Sequence, residues 1–115
     1  MSSRAYLTAL GLFSLVLYLG LTFLSKEFNW GEGYSERPIL EYLAVYFSLF
    51  VLYALACTHV FNSAWNQKTF WTLIVFGLLF RAAILPSQQI QEDDVYRYLW
   101  DGKVFAHGIN PFKYA

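Results

Sequence analysis

Three long apolar runs, separated by short polar gaps, fill most of the chain, and a dense polar and aromatic segment closes it. The first run, Ala5 to Leu24, reads AYLTALGLFSLVLYLGLTFL and holds no charged residue. At a rise of about 1.5 Å per residue, a helix over these positions covers the ~30 Å hydrocarbon core of a bilayer. A cleaved signal peptide is the competing reading, with Arg4 as a weak positive flank. The run exceeds the usual apolar region of roughly 7–15 residues and no A-x-A-like site follows it, so a retained helix is expected. The second run spans 39–61, ILEYLAVYFSLFVLYALACTHVF, with Pro38 at a permitted helix start and Glu41 in the first turn. The third, 69–86, is the shortest, and Arg81 interrupts it about one turn from its end. An arginine at membrane depth either snorkels to the surface or pairs with an anion. Both readings stand for Arg81: an interfacial anchor, or a contact to an anionic group at the surface.

The polar gaps orient these spans. The loop SKEFNWGEGYSER, from Ser25 to Arg37, has three Glu against one Lys and one Arg. The loop NSAWNQK, from Asn62 to Lys68, has one Lys and no acid, and the N-terminus carries Arg4. Basic residues favour the cytoplasmic side. The bias predicts a cytoplasmic N-terminus and an extracytoplasmic segment 87–115.

That segment contains QEDDVYRYLWDGKVFAHGINPFKYA, Gln91 to Ala115. Pro86 ends the third span, and a helix over about 92–107 follows, with acids or amides in its first turn and Gly108 just past its end. On a 3.6-residue period Val95, Leu99, Gly102 and Ala106 share an apolar stripe. Asp94, Arg97 and Asp101 fall on a neighbouring face, and Tyr96, Trp100, Lys103 and His107 make a third. Such a helix suits a membrane surface, with its apolar stripe toward lipid or the bundle and its aromatics at headgroup level. The charged face reads as an ordinary intrahelical ladder worth a few tenths of a kcal/mol per pair. It also reads as a site, in which a carboxylate at the water–lipid boundary deprotonates a hydroxyl while the cation holds a lipid phosphate. Asp93 and Asp94 diverge by about 100° on a helix and do not form a shared-proton dyad.

Composition changes this picture little. Of 115 residues, 57% are hydrophobic, 21% aromatic and only 14% charged, against about 25% charged in soluble domains. Zero formal net charge and the lack of a polybasic stretch argue against nucleic acid as a partner. Cys57, the single cysteine, reads as a small buried hydrophobe. His59 reads as an interfacial imidazole, with no second ligand one turn away to make a metal pair.

In DDVYRYLWDGKVFAHGINPFKYA the order of residues carries more than their types. The run resembles the first catalytic extracytoplasmic loop of bacterial membrane glycosyltransferases of the GT-C class. More narrowly, it is similar to polyprenol-phosphate-mannose-dependent mannosyltransferases. Their pattern is an acidic pair, V-Y-R-Y, W-D-G and then G-x-N-P-[YF]-x-Y-A-P. This chain matches it from Asp93 through Tyr98, at Trp100, Asp101 and Gly102, and from Gly108 through Ala115 at Asn110, Pro111, Phe112 and Tyr114. The resemblance covers about the last quarter of the chain.

It implies an all-α membrane protein: three transmembrane helices and an interfacial amphipathic helix, forming the N-terminal part of a larger GT-C-like bundle in the bacterial inner membrane. It implies inverting transfer of a sugar, with mannose leading by family association, from a polyprenyl-phosphate donor to an extracytoplasmic acceptor hydroxyl on a glycan or glycolipid. Carried over by position, Asp94 is the general base, with Asp93 as the fallback. Arg97 and Arg81 contact donor phosphate, and Asp101, Tyr96, Trp100 and Asn110 order the loop. Divalent-metal dependence varies across the class, and no side-chain cluster here demands a metal. Two departures bear on this. The family continues into further helices where this chain stops, so three helices on their own are expected to be inactive. Its best-known members place the key acid after the first helix rather than the third. The rival reading is a small non-catalytic three-helix membrane subunit or assembly protein.

Overall fold

The computed structural model describes residues 2–28, 31, 33–64, 66–90 and 94–113, and the described residues form helices and turns without a strand. Four α-helices follow one another: α1 (Ser3–Leu24), α2 (Ile39–Phe61), α3 (Gln67–Ile84) and α4 (Asp94–Ala106). Short 3-10 turns at Ser25–Glu27 and Tyr34–Glu36 lie between α1 and α2. The first three helices are each long and apolar enough to cross a membrane. Their surface fits that solvent. Phe13, Phe47, Phe50, Leu78 and many other large apolar side chains point outward, leaving a small buried set of Leu7, Leu21, Phe28 and Ala83 with Ser14, Thr22 and Ser25.

The helix ends follow local chemistry. The Ser2 hydroxyl accepts a hydrogen bond from the Ala5 N–H at 3.2 Å, which starts α1 at Ser3 rather than Ala5. The Asn66 side-chain oxygen accepts from the Lys68 N–H at 2.9 Å and likewise starts α3 at Gln67 rather than Thr69. At the far end α3 stops at Ile84, two residues short of the expected 86. Pro86 has no N–H to continue the ladder, and the chain turns with Ser87 N–H bonding to the Ile84 carbonyl at 2.9 Å. α4 closes at Ala106 with Gly108 at φ +76°, a left-handed conformation that favours glycine. The Gly108 N–H bonds to the Phe105 carbonyl and the Ile109 N–H to the Val104 carbonyl, the paired bonds of a Schellman cap.

α1 is the centre of the assembly. It runs parallel to α3: Gly11 meets Phe76, Tyr18 stacks on Phe80 at 4.9 Å, and Thr22 bonds to Ala83. Gly11 is what lets the two helices close up, because a Cβ there would stand 2.7 Å from the Phe76 ring. With α2 it runs antiparallel. Ser3 and Tyr6 meet His59 at one end, and Phe28 meets the Tyr42 ring at 6.0 Å at the other. α2 itself buries no residue. An apolar cleft of about 420 Å³ remains between α2 and α3 over the face of α1, and Cys57, half-buried rather than buried, lines it.

Candidate functional site

The segment joining α3 to α4 is tied down before it leaves the bundle. Thr22 Oγ1 donates to the Ala83 carbonyl at 2.7 Å, with the Tyr18 carbonyl a longer second acceptor at 3.1 Å. Ser25 is fully buried, donates to the Thr22 carbonyl at 2.6 Å, and accepts from the Gln88 N–H at 2.9 Å. Two hydroxyls at the end of α1 therefore clamp the end of α3 and the first residues beyond it. Sequence reading missed both. Their signal was present: small hydroxyl residues near the end of an apolar span are the usual interhelical hydrogen-bonding residues of membrane bundles.

α4 carries the candidate chemistry on a helix that packs extensively against none of the three spans. Asp94, its first residue, is half-buried, as is Asp101, while Arg97 between them is exposed. The expected ladder is not closed: among the described residues no ion pair joins Asp94, Arg97 and Asp101. The guanidinium is thus available to an external anion. Tyr96 (64% exposed) and Trp100 (61%) face outward with Tyr98, Leu99 and Phe105. Of the apolar stripe, Leu99, Gly102 and Ala106 are exposed and not packed on the bundle. Asp93 lies outside the described residues, as does the Val95 side chain.

The turn after α4 is built by Asn110, whose side-chain oxygen accepts from the Phe112 N–H at 3.0 Å. The Asn110 carbonyl accepts from the Lys113 N–H at 3.2 Å, closing the turn around Pro111. His107, in the third face of α4, has Nδ1 at 2.8 Å from the Lys103 carbonyl.

Arg81, exposed near the end of α3, bends back along its own helix. Its Nη1 donates to the Gly77 carbonyl at 3.2 Å, one turn back along α3. Side chains on a helix lean toward its N-terminus, so an arginine near the C-terminal end leans inward along the span. A Cβ at Gly77 would lie 3.6 Å from Nη1, an ordinary contact, so the fold-back does not require glycine there. The Arg81 guanidinium is therefore drawn toward its own helix backbone, not toward α4. His59, by contrast, gains partners the sequence did not indicate: Nε2 lies 2.8 Å from the Ser3 hydroxyl and the ring stacks on Tyr6 at 4.6 Å.

Among the described residues, no group of three or more His, Cys, Asp or Glu side chains gathers closely enough to hold a metal ion. Compared with protein-family models, curated proteins and solved structures, the chain matches none of them.

Proposed function

We propose that the chain is part of an integral membrane glycosyltransferase that moves a sugar, mannose first among those to test, from a polyprenyl-phosphate donor to an acceptor hydroxyl outside the cytoplasm. In this reading Asp94 takes the proton of the acceptor hydroxyl. The oxygen attacks the anomeric carbon from the face opposite the phosphate, the phosphate leaves with the bonding pair, and the configuration inverts. Arg97 binds the departing phosphate, Asp101 and the aromatic residues Tyr96 and Trp100 hold the loop, and Asn110 shapes its end. Asp93 is the alternative base. Arg81, turned toward Gly77, is the weaker phosphate contact of the two arginines. The observation that carries the reading is the open charge face of α4: an acid and a cation one turn apart, unpaired with each other, directly beyond a clamped transmembrane span. One observation favours the rival, a non-catalytic three-helix subunit. α4 packs extensively on none of the long helices, so the described residues do not enclose a substrate.

The test is sugar transfer by the protein as encoded, in membranes supplied with polyprenyl-phosphate mannose. Asp94→Asn should lower the rate by roughly 10²–10⁴-fold, the usual contribution of a general base, while insertion persists. Full activity in that variant would remove Asp94 from the chemistry. Orientation has its own readout: in a Cys57→Ala background, Gln91→Cys should react with a membrane-impermeant thiol reagent on intact cells. Labelling only after lysis would reverse the topology.

A further inference from the structure

The opposite end of the α1–α3 pair carries a second feature. A pocket of about 400 Å³ opens between the N-terminal ends of the two helices, lined by Arg4 and Thr8 of α1 and by Lys68, Trp71, Thr72, Val75 and Phe76 of α3. Because α1 and α3 are parallel, Arg4 and Lys68, each the second residue of its helix, come to the same end of the bundle. Both flank one cavity, where two like charges repel unless an anion sits between them.

No such anion is built in. Neither helix has an acidic residue in its first turn, and the loop entering α3 has none. Among the described residues, neither Arg4 nor Lys68 takes part in an ion pair. The pocket also changes character with depth. The cations and the Thr8 hydroxyl stand near the helix starts with the Trp71 indole, Thr72 lies about 6 Å along α3, and Val75 and Phe76 lie about 10 Å along it at ~1.5 Å per residue. This gradient, anion-attracting at the rim and apolar within, matches a phosphate headgroup attached to a hydrocarbon chain. A free phosphate ion has no use for the apolar part.

We propose that this pocket binds an anionic phospholipid, its phosphate between Arg4 and Lys68 and an acyl chain along Val75 and Phe76. Basic pockets between transmembrane helices are a recognised seat for acidic lipid headgroups. The proposal rests on the membrane reading of α1 and α3 and not on sugar transfer.

Fluorescence of Trp71 tests it. With Trp30, Trp65 and Trp100 changed to Phe, the full chain is reconstituted in phosphatidylcholine vesicles containing brominated phosphatidylglycerol or brominated phosphatidylcholine. Phosphatidylglycerol should quench at a mole fraction roughly thirtyfold lower, as two nearby cations imply. The preference should vanish in Arg4→Gln/Lys68→Gln, survive in Arg4→Lys/Lys68→Arg, and withstand excess inorganic phosphate. Equal quenching by the two lipids, or a preference that survives the double Gln change, overturns the proposal. Competition by inorganic phosphate overturns the lipid assignment. Helical circular dichroism together with quenching by brominated phosphatidylcholine shows that each variant is inserted, which separates failure of the site from failure of the membrane reading. If the double Gln variant does not insert, the single variants decide, each expected to lose about fivefold of the preference.

Discussion

α2 is a long apolar helix with no buried residue, whereas α1, of similar length, holds most of the buried positions among the described residues. Hydropathy therefore says which segments enter lipid and little about which segments meet. What separates the two helices is the size and chemistry of a few side chains. α1 offers Gly11, Ser14 and Thr22 along the face toward α3, so backbones approach and hydroxyls reach across. α2 meets its neighbour through bulky rings, Tyr42 and His59, and leaves a cleft beside it. In water the more apolar helix would be the core. In lipid, where tails are as apolar as leucine, close fit and hydrogen bonding decide instead.

This contrast can be broken at several points, and the largest effect is expected at the tightest contact. Gly11→Ala places a methyl against the Phe76 ring and should destabilise the folded bundle by about 1–3 kcal/mol in a detergent unfolding titration. Adding Phe76→Leu should restore part of that loss; strict additivity of the two changes would mean the seam is not where stability resides. Adding two methyl groups at the matching level of α2, with Ala56→Val, should cost less, because that face borders open cleft. Away from the seam, Gly108→Ala forces an alanine into φ +76° and should fray the end of α4 by about 1 kcal/mol, read as lost helicity and faster amide exchange at Ile109. The bundle itself should be unaffected. The smallest effect belongs to Thr22→Val, which keeps the shape and removes the bond to the Ala83 carbonyl. Interhelical bonds of this kind average about 0.6 kcal/mol. A loss well above that would show that the clamp on Gln88 depends on Thr22 as well.

The extent of each span was legible because long uncharged runs leave few alternatives, and α2 begins and ends where its apolar run does. Caps were half legible. Gly108 announced its left-handed position, while Ser2 and Asn66 extended α1 and α3 upstream through polar residues that look like loop. The pairing of the helices was not legible, since nothing in the apolar runs says that α1 should lie parallel to α3 instead of forming a tighter hairpin with α2. Nor was the direction of Arg81, whose bond to the Gly77 carbonyl is a contact with its own helix backbone that no residue pattern signals. For the candidate site, the spacing placed Asp94, Arg97 and Asp101 on one helix. It did not reveal that they would remain unpaired, because ion pairing on an exposed helix depends on side-chain entropy and solvent as much as on register.

The parallel seating of α1 on α3 has a consequence for how the protein is made. The bond from Thr22 to Ala83 spans 61 residues of chain. At a synthesis rate of about 5–20 residues per second, α1 stands in the bilayer for roughly 3–12 s before its partner emerges from the ribosome. Through that interval the Phe76 ring that seats on Gly11 is not yet made, and α2, which packs on α1 beside the same cleft, is the first neighbour available to it. The hydroxyls of Thr22 and Ser25 have local acceptors in the Tyr18 and Thr22 carbonyls from the start, and their bonds to Ala83 and Gln88 are the last to form.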